Sequence, residues 1–111
     1  MSSRENILLV QDMIEPGHKI LRYSSGLTYE EFVSDDLVFD AILRNFTVIG
    51  EAAARVEIDF QELHSSIPWH QLRGYRNRLI HEYFGVDASI VWDIIQEDLG
   101  TLLKNLATIG Q

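Results

Sequence analysis

The stretch at 34–56, SDDLVFDAILRNFTVIGEAAARV, decides the fold. Ser34-Asp35-Asp36 reads as a helix cap with acids in the first turn, where free amides and the helix dipole favour negative charge. Behind it Val38, Ile42, Phe46, Ile49, Ala53 and Val56 recur at three- and four-residue steps, one face of a helix. Phe39, Leu43 and Gly50 widen that face. So broad an apolar stripe predicts the most buried helix of the domain, reaching about Val56 and about 33 Å long.

Working outward, Thr28-x-x-Glu31 is a capping box that opens a short helix carrying Phe32 and Val33. Further upstream Ile7, Val10, Met13/Ile14 and Ile20/Leu21 mark a first helix that runs to about Tyr23 and ends at Ser24-Ser25-Gly26. Ser2 and Glu5 suit a capping box at its start, and Pro16-Gly17 is expected to kink it. Downstream, residues 57–67 mix acids and small polar groups and read as a loop. Pro68 suits the first turn of the next helix, carried through Trp69, Leu72, Tyr75, Leu79 and Ile80 to about Tyr83, with Gly85 ending it. Asp87 caps a last helix whose stripe is Val91, Ile95, Leu99, Leu102, Leu106 and Ile109. No alternating strand pattern of useful length occurs. The expectation is one all-α domain over 1–111, an up-and-down bundle of four main helices plus a short one.

Composition narrows the function. Seventeen acids against nine Lys plus Arg leave a net charge of −8, which argues against non-specific coating of nucleic acid or anionic membrane. With no cysteine there is no disulfide scaffold, thiolate metal site or cysteine nucleophile. No apolar run is long enough to span a bilayer, and Met1–Asn6 lacks the order of a secretory signal, so a cytoplasmic location is expected.

Charge is nevertheless uneven. Residues 64–81 hold Arg73, Arg76 and Arg78 and three of the four histidines (His64, His70, His81), with no Asp or Glu. An acid-free Arg/His segment in an acidic chain points to a focused anion site; the plainer alternative is a solvated helix face. The histidine spacings match no common zinc motif, so no metal is expected. His18 reads as a surface residue, and Trp69 and Trp92 as core or interface rather than base-stacking platforms.

Within this segment Asn77 and His81 are four apart and face each other, so the amide can set the imidazole's orientation. Arg76 and His81 are five apart, about 140° around a helix. One straight helix does not converge them on a small ligand, whereas two copies across a twofold axis can. A histidine that moves a proton and an arginine fork that holds a phosphate are what metal-independent RNA cleavage requires. The alternative is a surface arginine and a histidine at the favourable end of the helix dipole.

The run from Tyr75 to Asp87, YRNRLIHEYFGVD, resembles the Arg-x4-His-x-Tyr signature of HEPN-domain proteins, specifically the HepT-like toxin half of HEPN–MNT toxin–antitoxin pairs. DAILRNF at 40–46 leading to IGEAA at 49–53, Ile67-Pro68-Trp69, and VWDII at 91–95 followed by Glu97-Asp98-Leu99 resemble the same family, over nearly the whole chain. The resemblance implies a homodimeric HEPN bundle in which Arg76 and His81 form the ribonuclease pair and Asn77 supports them. It implies RNA as substrate, transfer or messenger. From the residues themselves, Arg73 and Arg78 of the acid-free segment are candidate RNA contacts, as is Arg44 if it lines the dimer groove rather than a solvated face with Asp40, and no cofactor is expected. The resemblance also implies a cognate nucleotidyltransferase antitoxin that silences the toxin by moving AMP from ATP onto Tyr83. The second function class is a catalytically silent helical dimer acting as a nucleotide-binding or scaffolding partner of such an enzyme; toxicity on expression, lost in His81→Ala, separates the two.

Overall fold

A computed structural model describes residues 2–81 and 87–109, and of 77–81 the backbone alone. Every described element is helical: α1 (Ser3–Ser24), α2 (Tyr29–Ser34), α3 (Asp36–Arg55), α4 (Ile58–Leu63), α5 (Trp69–His81), α6 (Ala88–Asp93) and α7 (Leu99–Ala107), the last two joined by a π-helical turn over Ile94–Asp98. None of the described helices is long and apolar enough to cross a membrane.

Four of the helix starts are those the side chains dictate. Ser2 accepts the Glu5 amide at 3.2 Å. Thr28 accepts the Glu31 amide at 3.1 Å while the Glu31 carboxylate accepts the Thr28 amide at 3.0 Å, a complete capping box. Asp35 accepts the Val38 amide at 3.2 Å to open α3. Asp87 accepts from the Ser89 hydroxyl and amide, which hold its carboxyl below the ordinary range. After α1 the chain reverses through Gly26 at φ 78°, a left-handed conformation that an L side chain resists. α1 itself continues through Pro16 as one helix. The next residue, Gly17, faces α7, where a Cβ would collide with the Leu103 side chain.

Two readings need correction. Residues 57–67 are not all loop, because α4 occupies Ile58–Leu63. Of its three large apolar residues only Phe60 is buried, Ile58 and Leu63 being exposed, and the Gln61 amide donates to the Val56 carbonyl at 2.8 Å. Six residues carry too few turns to show a helical period, so burial of Phe60 decides what the pattern leaves open. The last helix is also not uniform. Its steps Val91→Ile95→Leu99 are four residues each, and on an α-helix each drifts about 40° around the axis. The wider turn over Ile94–Asp98 absorbs that drift and keeps Val91, Ile95 and Leu99 all buried.

α3 forms the centre, with α1 packed along one flank and α5 along another, and α7 resting on α1. α1 and α3 run antiparallel: Asn6, buried near the start of α1, donates to the Glu57 carboxylate and accepts the Glu57 amide, both at 3.1 Å, just past the end of α3. Phe46, Ile42, Ile49, Met13, Ile20, Leu72, Leu99 and Leu106 are fully buried between them. Trp92 closes the far end, its ring 5.1 Å from Phe32 and 6.1 Å from Tyr29.

α3 and α5 also meet ring to ring, Phe46 edge-on to Tyr75 at 5.0 Å. Burial pushes the Tyr75 hydroxyl up from 10.0 to about 12, against the opposing hydrogen bond from Gln71 and with help from the Asp98 charge. A tyrosine whose pKa is raised by folding contributes stability that is complete below the unfolded value and is lost as pH rises through the folded one. The stability of the protein should therefore fall between about pH 10 and 12. In Tyr75→Phe that part of the decline should be absent, as read by urea denaturation across the alkaline range.

Candidate functional site

α5 carries the acid-free segment, and its buried face fixes how the helix lies. Trp69, Leu72 and Tyr75 point into the core, and the Trp69 indole donates to the His64 carbonyl at 3.0 Å, holding the start of the helix. On the opposite flank Gln71 donates to Tyr75 Oη at 3.3 Å and to Asp98 at 3.4 Å, tying α5 to the π-helical turn.

α5 approaches α3 closely at Gly50. A Cβ on Gly50 would lie 2.6 Å from the Arg76 amide nitrogen, 2.8 Å from Arg76 Cβ and 3.0 Å from the Leu72 carbonyl oxygen. Backbone thus rests on backbone, with no room for a side chain between. Arg76 combines two properties: its main chain is locked against α3, and its side chain is exposed. The helix continues from there to His81. The side chains of Asn77, Arg78 and His81, and all of Tyr83 and Gly85, lie outside the described residues.

Arg73, half-buried on the same helix, donates through Nη1 to Gln61 Oε1 of α4 at 2.8 Å. Arg44 goes elsewhere. It lines a groove of about 400 Å³ between α1 and α3, among Asp12, Lys19, Glu51 and Arg55. On α3 it lies about 120° around the axis from Gly50. Within the chain, then, Arg73 and Arg76 share the α5 edge that faces α3 and α4, and Arg44 does not join them. The His64 ring lies tilted against Phe60, 4.6 Å between centroids, while His70 and His18 are exposed. Among the described residues no three His, Asp or Glu side chains gather as a metal-ligand set.

Two residues matter here beyond those the sequence singled out. Gly50 is visible in the sequence only as a small residue on an apolar stripe, where its absent side chain looks like a gap rather than a contact. Gln61 falls in the stretch read as loop.

The described residues thus form an all-helical fold that displays an arginine from an acid-free helix. The family model described as "Ribonuclease HepT-like" matches residues 13–109, and the chain belongs to that family. It is 31% identical over 109 residues to "Putative RNase MJ1380" of Methanocaldococcus jannaschii, covering 98% of this chain and 100% of that one. It is 40% identical over 86 residues to "Putative RNase TTE0752" of Caldanaerobacter subterraneus subsp. tengcongensis, with 78% and 77% covered. "Probable ribonuclease HepT" of Thermococcus cleftensis is 34% identical over 93 residues, 84% of each chain. No solved structure matches the chain significantly.

The Gly50 contact can be tested against a second helical glycine. Gly100 has nothing within 4 Å of where its Cβ would be. Gly100→Ala should leave stability unchanged or raise it by up to about 1 kcal/mol, through helix propensity. Gly50→Ala should cost about 1–3 kcal/mol, because backbone must move to admit one methyl group. Urea midpoints at constant slope measure both.

Proposed function

We propose that this chain is an endoribonuclease that cuts RNA without a metal ion, as a homodimer with Arg76 and His81 of both copies around one cleft. The observation that carries the reading is Arg76, an exposed side chain on a backbone locked to α3, in an acid-free helix and five residues before a histidine. Family membership and relatives named as ribonucleases support it. In this reading His81 takes the proton of a 2′-hydroxyl, the 2′-oxygen attacks the adjacent phosphorus, and the bond to the 5′-oxygen breaks. The histidine of the second copy returns a proton to the leaving oxygen. Arg76 holds the phosphate and the charge that gathers on its oxygens, and Asn77 orients the imidazole one turn away. Arg73 and Arg78 hold flanking phosphates of a transfer or messenger RNA. Arg44, turned from Arg76 on its own protomer, reaches RNA only from the groove between copies.

The same reading makes the chain the toxin of a pair. A nucleotidyltransferase partner joins the α-phosphorus of ATP to the Tyr83 oxygen and releases pyrophosphate. The new phosphodiester occupies the arginines that would hold substrate and repels RNA.

Arg76→Ala and His81→Ala should each lower RNA cleavage in EDTA by about 10²-fold or more, with the helical circular-dichroism signal intact. Light scattering should give a dimer at micromolar concentration. Complete loss of cleavage in EDTA by the unaltered protein would remove the metal-free mechanism.

Tyr83→Phe separates control from catalysis. It should still cleave RNA, yet gain no AMP mass and escape silencing when partner and ATP are supplied, as read by intact-protein mass. AMP mass gained by Tyr83→Phe would assign the acceptor to another residue.

A further inference from the structure

The carboxamide of Gln61 is used at both ends. Its Nε2 donates to the Val56 carbonyl at 2.8 Å, and its Oε1 accepts from Arg73 Nη1 at 2.8 Å. A carbonyl only accepts and a guanidinium only donates, so the amide has one orientation. α4 is thereby fastened to the end of α3, and Arg73 is fastened to α4.

The choice of partner carries the argument. In a chain with seventeen Asp and Glu, Arg73 is held by a neutral amide, and among the described residues no carboxylate pairs with it. A carboxylate would cancel the charge. The amide removes rotamer freedom and leaves the charge whole, with four of five N–H donors uncommitted. Arg73 stands three residues before Arg76, so the two are neighbours on the surface of α5.

We infer that Gln61 is a positioning residue for substrate: it holds Arg73 as a preorganised, fully charged clamp for an RNA phosphate beside the one at Arg76. Fixing the guanidinium before binding spares part of the ordering cost that a free arginine side chain incurs on association. The inference rests on the ribonuclease reading above.

The test is binding of a fluorescein-labelled oligouridylate by fluorescence anisotropy over a KCl series, in a His81→Ala background that leaves the RNA intact. Gln61→Glu turns the clamp into an ion pair. It should weaken binding about tenfold at low salt and lower the slope of log affinity against log salt by about 1. Arg73→Ala should do the same, and Gln61→Glu added to Arg73→Ala should have no further effect. Leu63→Glu puts an equal charge on the same helix at a side chain that is 79% exposed and should change little. In protein with His81 intact, Gln61→Met loses both hydrogen bonds without adding charge, and should raise KM several-fold at unchanged kcat. Unchanged affinity and slope in Gln61→Glu, an equal effect from Leu63→Glu, or a fall in kcat alone for Gln61→Met overturns the assignment. Each of those leaves the ribonuclease reading standing so long as Arg76→Ala and His81→Ala abolish cleavage. Cleavage that survives in both of those variants overturns the reading itself, and this assignment with it.

Discussion

The backbone contact between α3 and α5 at Gly50 is the constraint on which the rest of the molecule depends. Helices with side chains at their crossing stay about 8–10 Å apart axis to axis. Here the missing side chain lets Arg76 and Leu72 of α5 settle directly on α3. That approach brings Tyr75 edge-on to Phe46 and buries Leu72 completely. Arg76 is held by its main chain, so its side chain is left to solvent without a packing role. A rigid main chain fixes where the Arg76 side chain starts, which suits the phosphate-holding role proposed for it.

Electrostatics follow the same division between scaffold and surface. The acids lie outside residues 64–81, so α5 presents cations against a background that is negative overall. A general polyanion binder would spread its positive charge; this chain confines it, which favours recognition at one place over coating. The tethers of α5 keep that charge available. Trp69 is fastened to a carbonyl, Gln71 links Tyr75 to Asp98, and Arg73 meets an amide. The one carboxylate in this set binds a glutamine rather than an arginine.

The correction at residues 57–67 bears directly on the site. α4 was unreadable because its stabilising groups are dispersed: Phe60 enters the core from below, Gln61 reaches back to Val56, and Arg73 comes from the following helix. The groups spread over residues 56–73, three times the length of the helix they stabilise. The π-helical turn was hidden for another reason. A run of four-residue apolar steps is compatible with a drifting α-helix and with a widened one, and the structure, with Val91, Ile95 and Leu99 all buried, has the second.

What the sequence determined by itself is what short-range physics controls. The all-helical class follows from three- and four-residue apolar spacing. The starts at Ser2, Thr28, Asp35 and Asp87 follow from side chains that reach amides two or three residues on, and the break after α1 follows from a glycine able to adopt positive φ. The local grouping of Arg73, Arg76 and His81 on one acid-free helix was legible as well. Only the tertiary structure decided that Gly50 is a contact surface, that Gln61 holds Arg73, and that Arg44 faces away from Arg76. These are relations between residues 12 to 32 positions apart, set by how helices cross, and helical periodicity orients each side chain about its own axis without stating which neighbour it will meet.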